Sequence, residues 1–394
     1  MAMALEGIKI LDLSRMPPGL FTSMMLGDLG ASVLKIDALS GEGDDVAVDR
    51  SEAEKRETAF DSLNRNKRGI ALNLKNEGGR KVFYRLCETA DVILEGFRPG
   101  VVERLEVDFA TVSKINPRIV YCSISGFGQD GPYRLLPGHD LNYIAVAGAL
   151  DMFGEPARPP VPPMNLVGDY AGGSLHAVIG IQAALWARQT TGRGQYVDIS
   201  ITDGAAQLLA AHSRAYFRDG FVPDRGGARA SARDPDYTTY QTKDGGYITL
   251  GCIEPVFWRN LCHEIDREDF IPDQMASGSR RDEIKTFLTE LFQTRTKDEW
   301  FDRMWKKNIP IAKVNSFREA VEDPQFKHRQ MVVEIDDPEL GPVKQIGIAI
   351  KLSETPGKVR VLGPAFGEHT DAVLSELGYG ADEVSALRAV GAVG

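Results

Sequence analysis

Asp169 lies in Asn165-Leu-Val-Gly168-Asp169-Tyr-Ala-Gly-Gly173, directly ahead of a helical pattern. One role for it is an ordinary helix N-cap. The other is a carboxylate held among free backbone amides, kept ionised as a base or nucleophile beside donors for a developing oxyanion. On that second reading, Gly172 and Gly173 let a ligand approach the backbone. His139, in Gly138-His139-Asp140, occupies a loop after a strand, where an imidazole can exchange a proton near neutral pH. A lone His there can equally be a structural residue bonded to backbone. Glu254, in Cys252-Ile253-Glu254-Pro255, falls at a strand-to-helix junction. It is either a favourable first-turn charge or a carboxylate that raises the basicity of a His partner.

Cations gather in two places. Arg65 and Lys67 belong to Asn64-Arg65-Asn66-Lys67-Arg68, ahead of a strand, while Phe97-Arg98-Pro99 and Arg104 follow the next one. Such residues commonly serve solvated loops. At consecutive connections of one sheet they can also contact phosphates, Arg by paired hydrogen bonds and Lys as a point charge. The stretch Gly126-Phe-Gly-Gln-Asp-Gly131 matches a dinucleotide fingerprint, but Pro132 and Tyr133 follow where that motif needs a helix. Its glycines suit a tight turn at a strand end.

The elements that must position these residues alternate in type. Ile8–Leu13 reads as a strand, Leu20–Leu29 as a helix ending at Gly30, and SVLKID as a second strand: a βαβ unit. GIALNL, a helix over Glu77–Glu88, DVILEGF, a helix opened by Gly100, and PRIVYCSIS repeat the pattern. The fold class is therefore α/β, with a parallel sheet covered by helices and ligands at the carboxyl ends of its strands. A helix over Tyr170–Arg188, the strand QYVDISI and a helix over Gly204–Phe217 follow. The expected organisation is a large α/β domain over 1–218, a linker over 219–235 and a small α+β domain over 236–330. In the small domain a hairpin turns at Lys243–Gly246, with helices over Glu254–Glu264 and Lys297–Lys307. Residues 331–394 then supply two strands and a helix (Asp371–Leu377) that returns to the large domain.

The chain has 394 residues, 43% hydrophobic and 26% charged, enough for two or three domains and a large core. A net charge of -10 argues against nucleic acid or an anionic membrane as a partner. Cys87, Cys122, Cys252 and Cys262 form no Cys-x-x-Cys pair, so no metal site is expected, and each lies in an apolar run. With no secretory leader, membrane span, lipidation or peroxisomal signal in the sequence, a cytoplasmic location is expected.

Together these segments resemble the family III CoA transferases, and most closely their α-methylacyl-CoA racemase branch. The stretches that carry the resemblance are LGDLGASVLKID, NRNKRGIALNLK, DVILEGFRPGVVERL, SGFGQDGPY, GHDLNY, NLVGDYAGG, ALWARQTTGRGQYVD and IEPVFW, with PAFGEHTDAVLSELG near the end. The resemblance implies a Rossmann-like large domain built from both chain ends, a smaller domain and an interlocked homodimer. Acyl-CoA would bind between the large domain of one subunit and the small domain of the other, with no metal or redox cofactor and no cofactor beyond CoA itself. It implies that Asp169 and His139 are opposing acid/base groups and that Glu254 is the partner of His139. Arg65, Lys67, Phe97, Arg98 and Arg104 would hold CoA.

Two departures stand out: the first loop, Ser14-Arg15-Met16-Pro17-Pro18-Gly19, is poorer in small residues than the family's, and Ala38 replaces an Arg often found near the adenosine. Three activities follow from this set. The first is racemisation of 2-methylacyl-CoA, with a place in lipid metabolism. The second is CoA transfer between carboxylic acids through a thioester on Asp169. The third is an idle acyl-CoA-binding subunit.

Overall fold

The computed structural model describes residues 2–39, 57–222, 225 and 233–394. They divide into two compact units: Met1–Ala147, Pro163–Ala210 and Pro324–Gly394 form one, and Gly148–Pro162 with Ala211–Asp323 form the other.

The first unit is built on six strands: β1 (Lys9–Asp12), β2 (Ser32–Ala38), β3 (Lys67–Leu72), β4 (Val92–Glu95), β5 (Val120–Ser125) and β6 (Tyr196–Ser200). They lie in the order β3-β2-β1-β4-β5-β6, every neighbouring pair parallel. The central strands β4 and β5 are buried along their whole length because both faces of the sheet are covered there. In β4, Ile93 enters the core beneath the helix Glu77–Cys87, whereas Val92 and Leu94 enter the core beneath the helices Pro17–Asp28 and His176–Thr191. The end of the chain joins the same sheet. The His369 N–H donates to the Gly69 carbonyl at 2.9 Å, Leu72 bridges Val393, and the helix Thr370–Glu376 buries Val373 and Leu374 under β3.

The second unit holds the antiparallel strands β7 (Tyr237–Gln241), β8 (Tyr247–Gly251) and β9 (Ile311–Lys313). They are packed by helices Pro255–Glu264, Gly278–Phe292 and Lys297–Met304 around Trp258, Phe292 and Trp300. The turn at Lys243–Gly246 joins β7 to β8. Strands β10 (Val332–Asp337) and β11 (Gly341–Ile346) form a hairpin in the first unit.

Several boundaries differ from the sequence reading. Gly148–Pro162 and the helix Ser213–Asp219 fall in the second unit, not the large domain. The single helix expected over Gly204–Phe217 is two, Ile201–Gln207 and Ser213–Asp219. Much of the expected linker 219–235 lies outside the described residues. All four cysteines are buried thiols. Among the described residues no helix is long and apolar enough to cross a membrane.

Candidate active site

In a parallel sheet, neighbouring strands whose connections leave in opposite directions open a crevice at their carboxyl ends. Here that point lies between β1 and β4. Ser14, Met16, Pro18 and Gly19 follow β1, and Gly96, Phe97, Arg98 and Pro99 follow β4. Both loops line a cavity of about 430 Å³, which the ends of β5 and β6 also border through Ile124–Phe127 and Ile201. His139 and Asp169 both line it.

The loop after β1 is fixed from below. Asp12, fully buried, accepts hydrogen bonds from the Ser14 N–H (2.9 Å) and from the hydroxyls of Ser14 and Ser23. Gly19 is required there, since a Cβ would stand 2.2 Å from that of Ser14.

His139 occupies the N-cap position of the helix Asp140–Val146, and its N–H donates to Asn142 Oδ1 at 3.0 Å. Tyr143, on that helix, lies against Gly126 and Gly138, where a Cβ would stand 2.2 Å and 2.8 Å from its ring. The Tyr143 hydroxyl donates to the Gly138 carbonyl. The fingerprint-like glycines after β5 thus admit an aromatic ring that anchors the His139 loop. Gly128 and Gly131 supply the left-handed turns, with φ of 89° and 78°.

Asp169 is not a helix cap. It lies inside a π-helix, Leu166–Leu175, which runs into the helix His176–Thr191. Such wide turns cost hydrogen-bond geometry and concentrate at functional sites. This one is pinned on two sides. The Ser174 hydroxyl donates to the carbonyls of Pro18 (2.8 Å) and Asp169 (3.0 Å). Gly172 faces Gly204 of the helix Ile201–Gln207 so closely that a Cβ on Gly204 would stand 2.0 Å from the Gly172 carbonyl oxygen. Gly172 therefore serves helix packing, a correction to the expectation that it admits a ligand. Nor is the amide of Asp169 free for an oxyanion: it donates to Oδ1 of the buried Asp140 at 2.7 Å.

Partial burial raises the Asp169 carboxyl to about 6, and the negative charge of Asp140 adds to the rise. A hydrogen bond from Asn165 and the nearby His139 oppose it. Asp169 therefore titrates in the range where a carboxyl can take up or release a proton. Beneath the β4 loop, the buried Glu95 accepts the Phe97 N–H at 2.7 Å and the Ser123 hydroxyl, and burial lifts its carboxyl to about 7.

The cations separate into two groups. Phe97 and Arg98 line the cavity. Arg65 and Lys67 do not present their charges to a ligand, which corrects the expectation for them. Arg65 forms a paired contact with Asp28 (2.9 and 2.6 Å), and Lys67 meets Asp12 at 3.2 Å with both side chains inaccessible. The physical reason is compensation, since a buried carboxylate needs a buried cation. Arg104 ends the short helix Val101–Arg104 and is exposed, outside the cavity lining. Glu254 is an exposed N-cap residue of the helix Pro255–Glu264 in the second unit, with no side-chain capping bond. Asp140 and Tyr143 are the members of the site that sequence reasoning missed. The signal was their place one and four residues beyond His139, at the start of a helix.

A doubly wound parallel sheet with a carboxyl and an imidazole in its switch-point crevice defines an α/β enzyme site suited to proton transfer or carboxylate attack. The chain belongs to the CoA-transferase family III, whose model matches residues 5–370. It is 34% identical over 386 residues to the human alpha-methylacyl-CoA racemase, covering 98% of this chain and 96% of that protein. It is 33% identical over 418 residues to the formyl-CoA:oxalate CoA-transferase of Streptomyces avermitilis, over the full length of both. A CAIB/BAIF family protein from Brucella suis has a similar crystal structure, with a TM-score of 0.80 and 31% identity over 96% of this chain and all of that one. The chain is thus an enzyme of the superfamily that holds both racemases and CoA transferases.

Proposed function

We propose that this enzyme racemises 2-methyl-branched acyl-CoA thioesters by exchanging the α-proton between His139 and Asp169. The observation that carries the reading is that an imidazole and a carboxyl raised to about 6 share one cavity. Inverting a carbon requires removing its proton on one face and returning one on the other, so two proton-exchanging groups must serve it. The ionised or neutral base takes the α-proton, and the electron pair moves into the thioester carbonyl as an enolate. The protonated partner then delivers its proton to the α-carbon. Either enantiomer can enter, because each group can be base or acid.

Glu254 is assigned to the orientation of His139, as the resemblance implies. Phe97 and Arg98 are assigned to the thioester and phosphate regions of CoA, since both line the cavity. We assign no cofactor besides CoA. A homodimer is supported by large apolar side chains left on one helix face: Ile179 and Trp186 of the helix His176–Thr191 are 64% and 79% exposed. A cytoplasmic location is supported by the unpaired thiols.

A second reading is CoA transfer, with Asp169 attacking the thioester to form an aspartyl-bound intermediate. The likeness to a formyl-CoA:oxalate CoA-transferase supports it. Incubating the protein with an enantiopure 2-methylacyl-CoA in deuterated water, followed by NMR, separates the two. Deuterium entering at the α-carbon with loss of optical purity is expected. CoA passing to an added carboxylic acid without deuterium entry would establish transfer instead.

A further inference from the structure

The π-helix that carries Asp169 gives way to an α-helix at His176, Leu166–Leu175 running directly into His176–Thr191. Where the pitch changes, two side chains reach back to carbonyls five residues earlier. The Ser174 hydroxyl donates to the Asp169 carbonyl at 3.0 Å, and the His176 Nδ1–H donates to the Ala171 carbonyl at 2.8 Å. In an α-helix such a reach covers three or four residues. Thr22 shows this by donating to the Pro18 carbonyl at 2.8 Å within the helix Pro17–Asp28. A span of five is the π repeat. Both contacts match the widened turn.

A carbonyl oxygen only accepts, so the contact with Ala171 fixes a proton on His176 Nδ1. The other ring nitrogen, Nε2, meets the side-chain amide of Gln207 at 3.0 Å, at the end of the helix Ile201–Gln207. That helix also carries Gly204, which lies against Gly172. The imidazole is thus braced by a packed neighbour on one side and grips the carbonyl two residues beyond Asp169 on the other. A widened turn has poorer hydrogen-bond geometry than the α-helix it replaces, and such local strain persists where the surroundings hold it.

We propose that His176 is a positioning residue: by gripping the Ala171 carbonyl it holds the π turn, and the π turn sets the direction in which the Asp169 carboxyl faces the cavity. If the turn relaxed to α pitch, Asp169 would rotate about the helix axis away from the reacting carbon. The inference rests on Asp169 as a reacting group, which both readings of the function share.

The test compares three substitutions. His176→Leu removes both contacts. Asn places an N–H where Nδ1 stands and Gln where Nε2 stands, so His176→Asn keeps the contact with Ala171 and His176→Gln the one with Gln207. For each, kcat, KM and the melting temperature are measured, and the His176→Leu protein is crystallised. His176→Leu is expected to lower kcat about 10²-fold, the cost of misplacing a reacting group by about 1 Å, with KM and the melting temperature near native. His176→Asn is expected to recover most of that loss and His176→Gln little of it. The crystal structure is expected to show α pitch through residues 166–175. An unchanged kcat overturns the proposal. So does a fall in kcat joined by a raised KM and a lowered melting temperature, which marks plain destabilisation. Rescue by Gln and not by Asn overturns it too, by moving the effect to Gln207, as does a His176→Leu structure that keeps the π turn. A native protein that exchanges no α-deuterium refutes the racemase reading alone, and kcat is then compared for CoA transfer, in which Asp169 also reacts.

Discussion

Asp140 Oδ1 accepts the backbone N–H of Asp169 at 2.7 Å, so the residue next to His139 in sequence holds the other proton-exchanging group in space. One buried carboxylate couples the position of the pair to its electrostatics, because the charge of Asp140 also helps hold the Asp169 carboxyl up at about 6. Asp140→Asn keeps an oxygen acceptor and removes that charge. The acid limb of the kcat/KM profile is expected to move to lower pH in this variant, with a native-like fold. An unmoved limb would show that Asp140 has no electrostatic influence on the rate.

His139→Ala is expected to lower kcat/KM for racemisation by about 10²–10⁴-fold, the usual worth of one positioned acid/base group. His139 is exposed, so the melting temperature should change little. Turnover surviving at more than a tenth of the native rate would remove His139 from the chemistry.

Stability should depend on pH through Asp169. Its carboxyl binds a proton more tightly in the folded state (about 6) than at the ordinary value of 3.8. Between those values the folded protein holds more protons than the unfolded one, so stability from this group is lost as pH rises and stays lost above 6. Asp169→Asn is expected to lose racemisation, and to be more thermostable relative to the native protein at pH 8 than at pH 4. Melting curves at the two pH values check this, and an equal difference at both would contradict it.

Lys67→Met should leave Asp12 buried without its cation and cost about 3–5 kcal/mol of stability. A compensating Asp12→Leu in the same chain should recover part of the loss, measured by denaturant unfolding. A Lys67→Met protein as stable as the native one would mean that the pair is not the compensation described above.

Gly204→Ala forces a methyl group against the Gly172 carbonyl. Overpacking of this kind costs about 1–3 kcal/mol. Because Gly172 shares the π-helix with Asp169, activity should fall with stability. An unaffected rate would uncouple that helix contact from the site.

The parallel sheet was legible in the sequence because each strand is an apolar run bounded by turn residues, and each intervening helix carries its own apolar spacing. His139 and Asp169 were legible as residue types at strand and helix boundaries, and both line the one cavity. What sequence could not supply was the fate of charge. Arg65 and Lys67 read as a surface cluster because their partners, Asp28 and Asp12, lie 37 and 55 residues away along the chain. The π-helix was equally hidden, since a widened turn leaves the apolar periodicity of Tyr170–Arg188 intact while moving Asp169 from a cap into the helix. Gly172 looked like room for a ligand because the helix that fills that room, Ile201–Gln207, comes later in the chain.

The most direct test follows α-deuterium exchange of each separate enantiomer of a 2-methylacyl-CoA with His139→Ala and with Asp169→Asn. If the two groups attend opposite faces of the carbon, both variants lose racemisation by about 10²-fold or more, and each still exchanges the α-proton of one enantiomer only, a different one for each variant. Exchange of the same enantiomer by both variants, or racemisation by either at more than a tenth of the native rate, would contradict the account.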